Sequence, residues 1–268
     1  MPDASWILAN EGPVRLGIFF GSLLAWVAVE RFSPAVVRAQ PLLRRWTANL
    51  GLSALSAVFV GLLLRGLTVL AALWAQMNGA GLFNLLQMPA WAEVILALIL
   101  LDLAIYIQHV ATHRVPLLWR LHMVHHTERE LDVSTSVRFH PAEIIASLLY
   151  KTVIIVSLGI DPVVVIAYEV MLNVMAAFNH ANVVLPAWLE RPLRLIVVTP
   201  ALHRIHHSDK PHETNSNFGN TLSIWDRLFG TWRGAPQDGL RIGLTQYQDE
   251  RPNQLWWCVK APFERTAP

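Results

Sequence analysis

Ten of the eleven histidines in this 268-residue chain lie between His109 and His207, and eight of those ten fall into three short clusters. His109 and His113 stand four apart, His122, His125 and His126 form H-x-x-H-H, and His203, His206 and His207 repeat that pattern. On a helix, residues three and four apart share a face with Cβ atoms about 5–6 Å from each other, so such imidazoles can converge on shared metal ions. A lone histidine is most often a satisfied core or interface residue. Recurrence of a five-residue pattern removes that explanation, and contexts such as Leu118-Trp119-Arg120-Leu121 exclude a disordered histidine-rich tract. Imidazole serves zinc, copper and iron alike. One tetrahedral zinc takes about four ligands, whereas the clusters hold eight histidines and His180 stands between them. Two metal ions of higher coordination are the economical account, and without a cysteine ligand a redox-active pair of irons best suits a membrane setting. The zinc-protease pattern H-E-x-x-H is absent.

The elements that position these side chains must be membrane helices. Hydrophobic residues make up 54% of the chain and charged ones 15%, against about 25% charged in soluble domains. From Trp46 to His113 the only charged side chains are Arg65, Glu93 and Asp102. A span needs about 20 mostly apolar residues, which Leu16–Phe32, Trp46–Ala75 and Pro89–Val110 supply. With no basic region before it, the first reads as a retained helix and not a cleaved signal. Arg65 lies two-thirds of the way along the second, with an interfacial and an interior position both open. A fourth apolar region, Ile144 to Phe178, is interrupted by Gly159-Ile160-Asp161-Pro162, which ends one helix and starts another. Full spans and a re-entrant pair are both open for its arms. The first link carries Arg31, Arg38, Arg44 and Arg45 and the second, Asn78 to Met88, carries no charge. The positive-inside rule therefore places the N-terminus outside and the histidine clusters and C-terminus in the cytoplasm. From Pro186 the chain turns polar and Trp-rich, as in a cytoplasmic cap, and the tryptophans read as interfacial anchors. The expected fold is an all-α polytopic membrane bundle of about four or more helices. A cytoplasmic helical cap would bring the histidines together, with N-terminal membrane helices at 1–88, a histidine domain at 89–235 and a C-terminal cytoplasmic tail at 236–268.

Helical phase adds candidates. Asp102, Tyr106, His109 and His113 share one face of the third span. A carboxylate inside a membrane is costly, so Asp102 is expected to accept a ring N–H from a ligand histidine, with helix packing or pairing to an arginine as the bland alternative. Glu169, Asn173 and His180 form a similar stripe, and Glu169 carries the same two readings. His140, in Arg138-Phe139-His140-Pro141, has three open roles: a tenth ligand, a hydrogen-bond partner of a ligand, or a helix start before Pro141. Asp226 and Arg227 read as structural, and His212, after Pro211, as solvent-exposed.

With its flanking residues, the pattern resembles the membrane fatty acid hydroxylase and sterol desaturase superfamily. His109–His113, His122–His126 and His203–His207 match its three histidine boxes. Arg138-Phe139-His140-Pro141-Ala142-Glu143, Phe178-Asn179-His180-Ala181-Asn182, Asn217-Phe218-Gly219 and Trp225-Asp226-Arg227-Leu228-Phe229-Gly230-Thr231 match around them. The resemblance covers Asp102 to Trp232. It implies a non-haem di-iron centre that uses O2 and an external reductant to hydroxylate or desaturate a lipid C–H bond. The ligands it implies are His109, His113, His122, His125, His126, His203, His206 and His207, with His180 as the additional histidine between the second and third boxes.

No G-x-G-x-x-G or cysteine set for an iron–sulfur cluster is present. A separate ferredoxin- or cytochrome-type electron donor is therefore expected, docking on basic residues such as Arg114, Arg120, Arg191 and Arg194. A formal charge of +2 and the lack of a basic tract with interleaved aromatics argue against nucleic acid. The rival from another class is a metal transporter or sensor. A transporter places its ligands near the bilayer midplane on broken helices, whereas these histidines begin at the end of a span.

Overall fold

The computed structural model describes residues 4–264 apart from residues 87 and 238. In chain order its helices are α1 (Ala4–Ala9), α2 (Glu11–Phe32), α3 (Leu42–Leu63), α4 (Leu67–Met77), α5 (Leu82–Leu85), α6 (Ala90–Arg114), α7 (Pro116–His126), α8 (Pro141–Leu158), α9 (Pro162–His180), α10 (Ala187–Leu193), α11 (Pro200–His206), α12 (Pro211–Thr214), α13 (Ile224–Leu228) and α14 (Leu255–Lys260). No strand occurs among the described residues, only isolated bridges. Five segments are long and apolar enough to cross a membrane: Glu11–Phe32, Leu42–Leu85, Ala90–Arg114, Pro141–Leu158 and Pro162–His180. The protein is thus a helical polytopic membrane bundle. Helix α9 packs against α2, α4, α6 and α11, and α8 against α3, α4 and α6, around a core that includes Ala72, Leu101, Ile155, Val165 and Tyr168.

Proline starts four of the helices that carry or flank the histidines. Val115, His140, Asp161 and Thr199 are extended, and the prolines after them open α7, α8, α9 and α11. A residue before proline is pushed out of the helical region, while proline itself fits the first helical position. Asp161 Oδ1 accepts Val163 N at 2.7 Å, and Gly159, at φ 71°, closes α8 in the left-handed conformation. A Cβ on Gly159 would lie 2.6 Å from the carbonyl oxygen of Ala80, so the α8–α9 turn admits no side chain there. The hairpin inferred from Gly159-Ile160-Asp161-Pro162 is present as read, with arms of 18 and 19 residues.

The second apolar stretch departs from the expected single helix over Trp46–Ala75. It breaks after Leu63, and Gly66, at φ 68°, starts α4. At the break Arg65 is exposed, while Thr68 and Val69 pack inward and Thr68 Oγ1 donates to Glu169 Oε2 at 3.3 Å.

One end of the bundle is tied by buried charge. Arg45, at the start of α3, meets Glu128 and Asp132 at 3.0 Å each. Arg38 pairs with Glu30 and approaches Asp132 at 3.5 Å. Arg31 and Arg44 stay exposed. Two arginines of the first link therefore act as clamps on the chain that follows α7. Burial opposes ionisation of Glu128, yet Arg45 and Arg138 beside it hold its carboxyl below the usual range. The segment 236–268, expected as a tail, is packed where described: Arg138 donates to Pro252 O at 2.8 Å and to Cys258 Sγ at 3.2 Å, and α14 lies against α3.

Candidate metal centre

Nine histidines converge in two groups. His109, His113, His122, His126 and His206 form one, and His125, His180, His203 and His207 the other, with one ring nitrogen of each within 4.8 Å of every other in its group. Helical phase explains the allocation. At 100° per residue, positions i and i+4 lie about 40° apart and i+3 falls to the other side of i. In the second box His122 and His126 turn to the five-histidine group and His125 to the four-histidine group. In the third box the assignment is reversed: His203 and His207 join the four, and His206 the five. Each box thus gives one histidine to the group dominated by the other, which locks α7 and α11 together. Helix α6 completes the first group and the end of α9 completes the second.

The ring nitrogens are arranged as a cation would require. His125 Nδ1 donates to Arg138 O at 3.2 Å and His180 Nδ1 to Ala176 O at 2.7 Å. Those bonds place the protons on Nδ1, leaving two Nε2 lone pairs facing each other at 3.0 Å. His203 and His180 Nε2 are 3.0 Å apart, and His122–His126 and His203–His207 each 3.2 Å. At a metal–nitrogen bond of about 2.1 Å, ligands at right angles would sit about 3.0 Å apart. His109 and His206 likewise donate Nδ1 to Phe218 O and Ser216 O, each at 2.7 Å, and bury an unpartnered Nε2. Burial, reinforced by neighbouring histidines, pushes His125, His126, His203 and His207 well below the usual imidazole range, and His206 to about 3. All five are neutral donors at physiological pH. The residues fit two imidazole-ligated metal ions.

Two cavities approach the centre. One of about 410 Å³ lies among α2, α3, α6, α8 and α9 and reaches His109, His122, His125, His180 and His203, hence both groups. Its wall is mainly apolar, with Phe19, Val60, Ile105 and Leu148, but it also carries Gln108, Ser147, Lys151 and Asn173. The other, about 270 Å³, reaches His113 from the side of Trp119, Pro211 and Leu244.

The remaining candidates lie elsewhere. Among the described residues Asp102 meets no box histidine and no arginine: its Oδ2 accepts Trp225 Nε1 at 2.8 Å and Leu222 N at 3.1 Å. Tyr106 shares a 2.8 Å hydrogen bond with Thr231 and stacks on Phe229. The third-box loop thus bonds to α6 from His109 back to Asp102, about 10 Å along the helix. Glu169 pairs with Arg15 and, at 2.9 Å, with Lys151. Asn173 donates to Glu169 O at 2.9 Å. Of the three roles open to His140, the structure places it at the helix start, where Nδ1 accepts Ala142 N at 3.1 Å. Asp226 caps the third-box loop by accepting Phe218 N and Thr231 Oγ1 at 2.7 Å and Gly219 N at 2.9 Å; burial raises its carboxyl above the usual range. His212 is exposed. Of the four basic residues expected at a docking face, Arg114 and Arg191 are exposed, whereas Arg120 binds Glu264 O and Arg194 donates to Gly234 O at 2.6 Å. Sequence reasoning missed the backbone carbonyls that orient four of the ring Nδ1 atoms, because a carbonyl has no residue identity to read.

Residues 94–231, just over half of the chain, match the fatty acid hydroxylase family. The chain belongs to that family. Among curated relatives of this fatty acid hydroxylase family chain, ornithine lipid hydroxylase OlsE of Rhizobium tropici is 32% identical over 59% of this chain and 47% of its own length. Alkylglycerol monooxygenase of Homo sapiens is 31% identical over 61% of this chain and 35% of its own. Cholesterol 25-hydroxylase of Rattus norvegicus is 26% identical over 54% and 48%. The chain therefore spans less than half the length of these relatives. No solved structure matches it.

Proposed function

We propose that this chain is a lipid hydroxylase that holds two irons in its paired histidine groups and inserts one atom of O2 into a lipid C–H bond. The observation that carries the reading is the double histidine centre at the inner end of a cavity between membrane helices. The iron pair, when bound, supplies the O2-activating chemistry. The protein's part is to hold nine imidazoles, to keep the ring protons on Nδ1 where a carbonyl faces them, and to admit a lipid chain along the apolar wall of the larger cavity. In the balanced reaction, R–H, O2, two electrons and two protons give R–OH and water. Desaturation would consume the same electrons and oxygen while removing two hydrogens, and the relatives, all named as hydroxylases or monooxygenases, favour hydroxylation. The electrons come from a ferredoxin- or cytochrome-type partner on the cytoplasmic face, where Arg114 and Arg191 are exposed.

The test is purification without oxygen in the presence of ferrous iron, followed by metal analysis and by incubation with membrane lipid, O2 and a reductase chain. Two irons per chain and a lipid product heavier by one oxygen atom are expected. Activity should need the protein donor, not a reduced nicotinamide alone, and His125→Ala and His206→Ala should each lose metal and activity. A single tightly bound zinc, unchanged in both variants, would refute the reading.

A further inference from the structure

Glu143 stands in the first turn of α8, after the proline that opens it. Its Oε1 lies 2.6 Å from Nδ1 of His122, with both side chains buried. Among the described residues, His122 is the one of the nine clustered histidines whose Nδ1 meets a carboxylate. His109, His125, His180 and His206 give theirs to backbone carbonyls, and Nδ1 of His113, His126, His203 and His207 has no hydrogen-bond partner among the described residues. Glu143 is not spent on capping its own helix, since the N–H of Ala142 goes to His140. Its second oxygen is buried and unpartnered, and the residue lines the larger cavity.

A carboxylate on the far nitrogen of a ligand imidazole does two things. It keeps the proton on Nδ1, so that Nε2 points its lone pair at the metal, and it enriches the ring in electron density, which a neutral carbonyl does less. Here the ring it acts on is His122, whose Nε2 faces that of His126 at 3.2 Å in the five-histidine group. We infer that Glu143 is the positioning residue of the five-histidine metal position, acting through His122 and making the affinity of that position, and not of the four-histidine one, depend on a residue outside the boxes. This rests on the two-metal reading.

Wild type, Glu143→Ala, Glu143→Gln and His212→Ala would be loaded anaerobically with ferrous iron and, separately, with cobalt(II), whose visible bands report its ligands. Loaded protein would then be titrated with a chelator while metal per chain is counted. Glu143→Ala should weaken one of the two ions about 10- to 100-fold and leave the other at its wild-type affinity. Glu143→Gln keeps an oxygen that can accept the Nδ1 proton, so it should recover most of that affinity but shift the cobalt bands of one site. His212→Ala should match wild type. Unchanged affinity in Glu143→Ala, or equal loss of both ions in both Glu143 variants, would overturn the inference. Failure of wild type to bind two metals would count instead against the proposed function.

Discussion

Replacing Arg138 by lysine removes the most heavily bonded side chain near the metal centre while keeping its charge. The guanidinium is fully buried and donates to Val124 O at 2.9 Å, Asn49 Oδ1 at 2.7 Å, Thr127 Oγ1 at 2.9 Å and Pro252 O at 2.8 Å. These acceptors belong to α7 and the residue just after it, to α3 and to the C-terminal segment. A lysine ammonium is a point donor with no fork and can serve about two of the four. At about 1–3 kcal/mol for each buried oxygen left unpaired, the cost is about 2–6 kcal/mol. A chain of this size loses about 2–4 °C in melting temperature per kcal/mol, which gives a fall of about 4–24 °C. The effect should reach the site, because the carbonyl of Arg138 holds Nδ1 of His125: metal should leave the four-histidine group at lower chelator concentration. Tryptophan fluorescence during heating in detergent, with metal counted before and after, reads both effects. Exposed Arg114→Lys serves as the control and should melt with wild type. A melting temperature within about 2 °C of wild type and unchanged metal retention would refute the argument that this network supports the centre.

Trp225→Phe should leave Asp102 with one of its two donors, cost about 0.5–1.5 kcal/mol as expected for a typical intramolecular hydrogen bond, and raise proteolysis between Asn217 and Thr231. An unchanged cleavage rate would show that the Asp102 tie does not hold the third-box loop. The depressed carboxyl of Glu128 contributes stability that is present above its ordinary value near 4.5 and lost as pH falls through its lower folded value. Glu128→Gln should therefore melt lower at neutral pH and lose less than wild type on acidification below about pH 4.5, and parallel acid limbs in the two proteins would contradict this. Reporter fusions after Gln40, Gly81 and Pro268 should read inside, outside and inside, and an outside reading at Pro268 would reverse the proposed orientation.

The features legible in the chain are those that depend on neighbours in sequence. The ends of α8 and α9 follow from Gly159, Asp161 and Pro162, because a left-handed cap, a side-chain N-cap and a proline act within a turn. The two H-x-x-H-H patterns announce clustered imidazoles that could ligate metal, because helical spacing alone brings such rings within reach. The break at Leu64–Gly66 was less visible. An apolar run reads as continuous whether it bends or not, and the bend is favoured by what Thr68 meets on α9 and by where Arg65 can remain exposed.

Asp102 shows the limit of phase arguments, for it shares a face with His109 and His113 and yet points to Trp225, 123 positions later in the chain. Glu143 and His122, 21 residues apart and on different helices, had no signal to connect them. Length, apolar runs, caps and histidine spacing, all local properties, determined that this chain makes membrane helices and presents nine imidazoles. Which histidines gather into one group, which ring nitrogens face each other and which carboxylate stands behind His122 were decided by tertiary structure, because ring orientation is set by carbonyls and side chains that packing brings in from elsewhere in the chain.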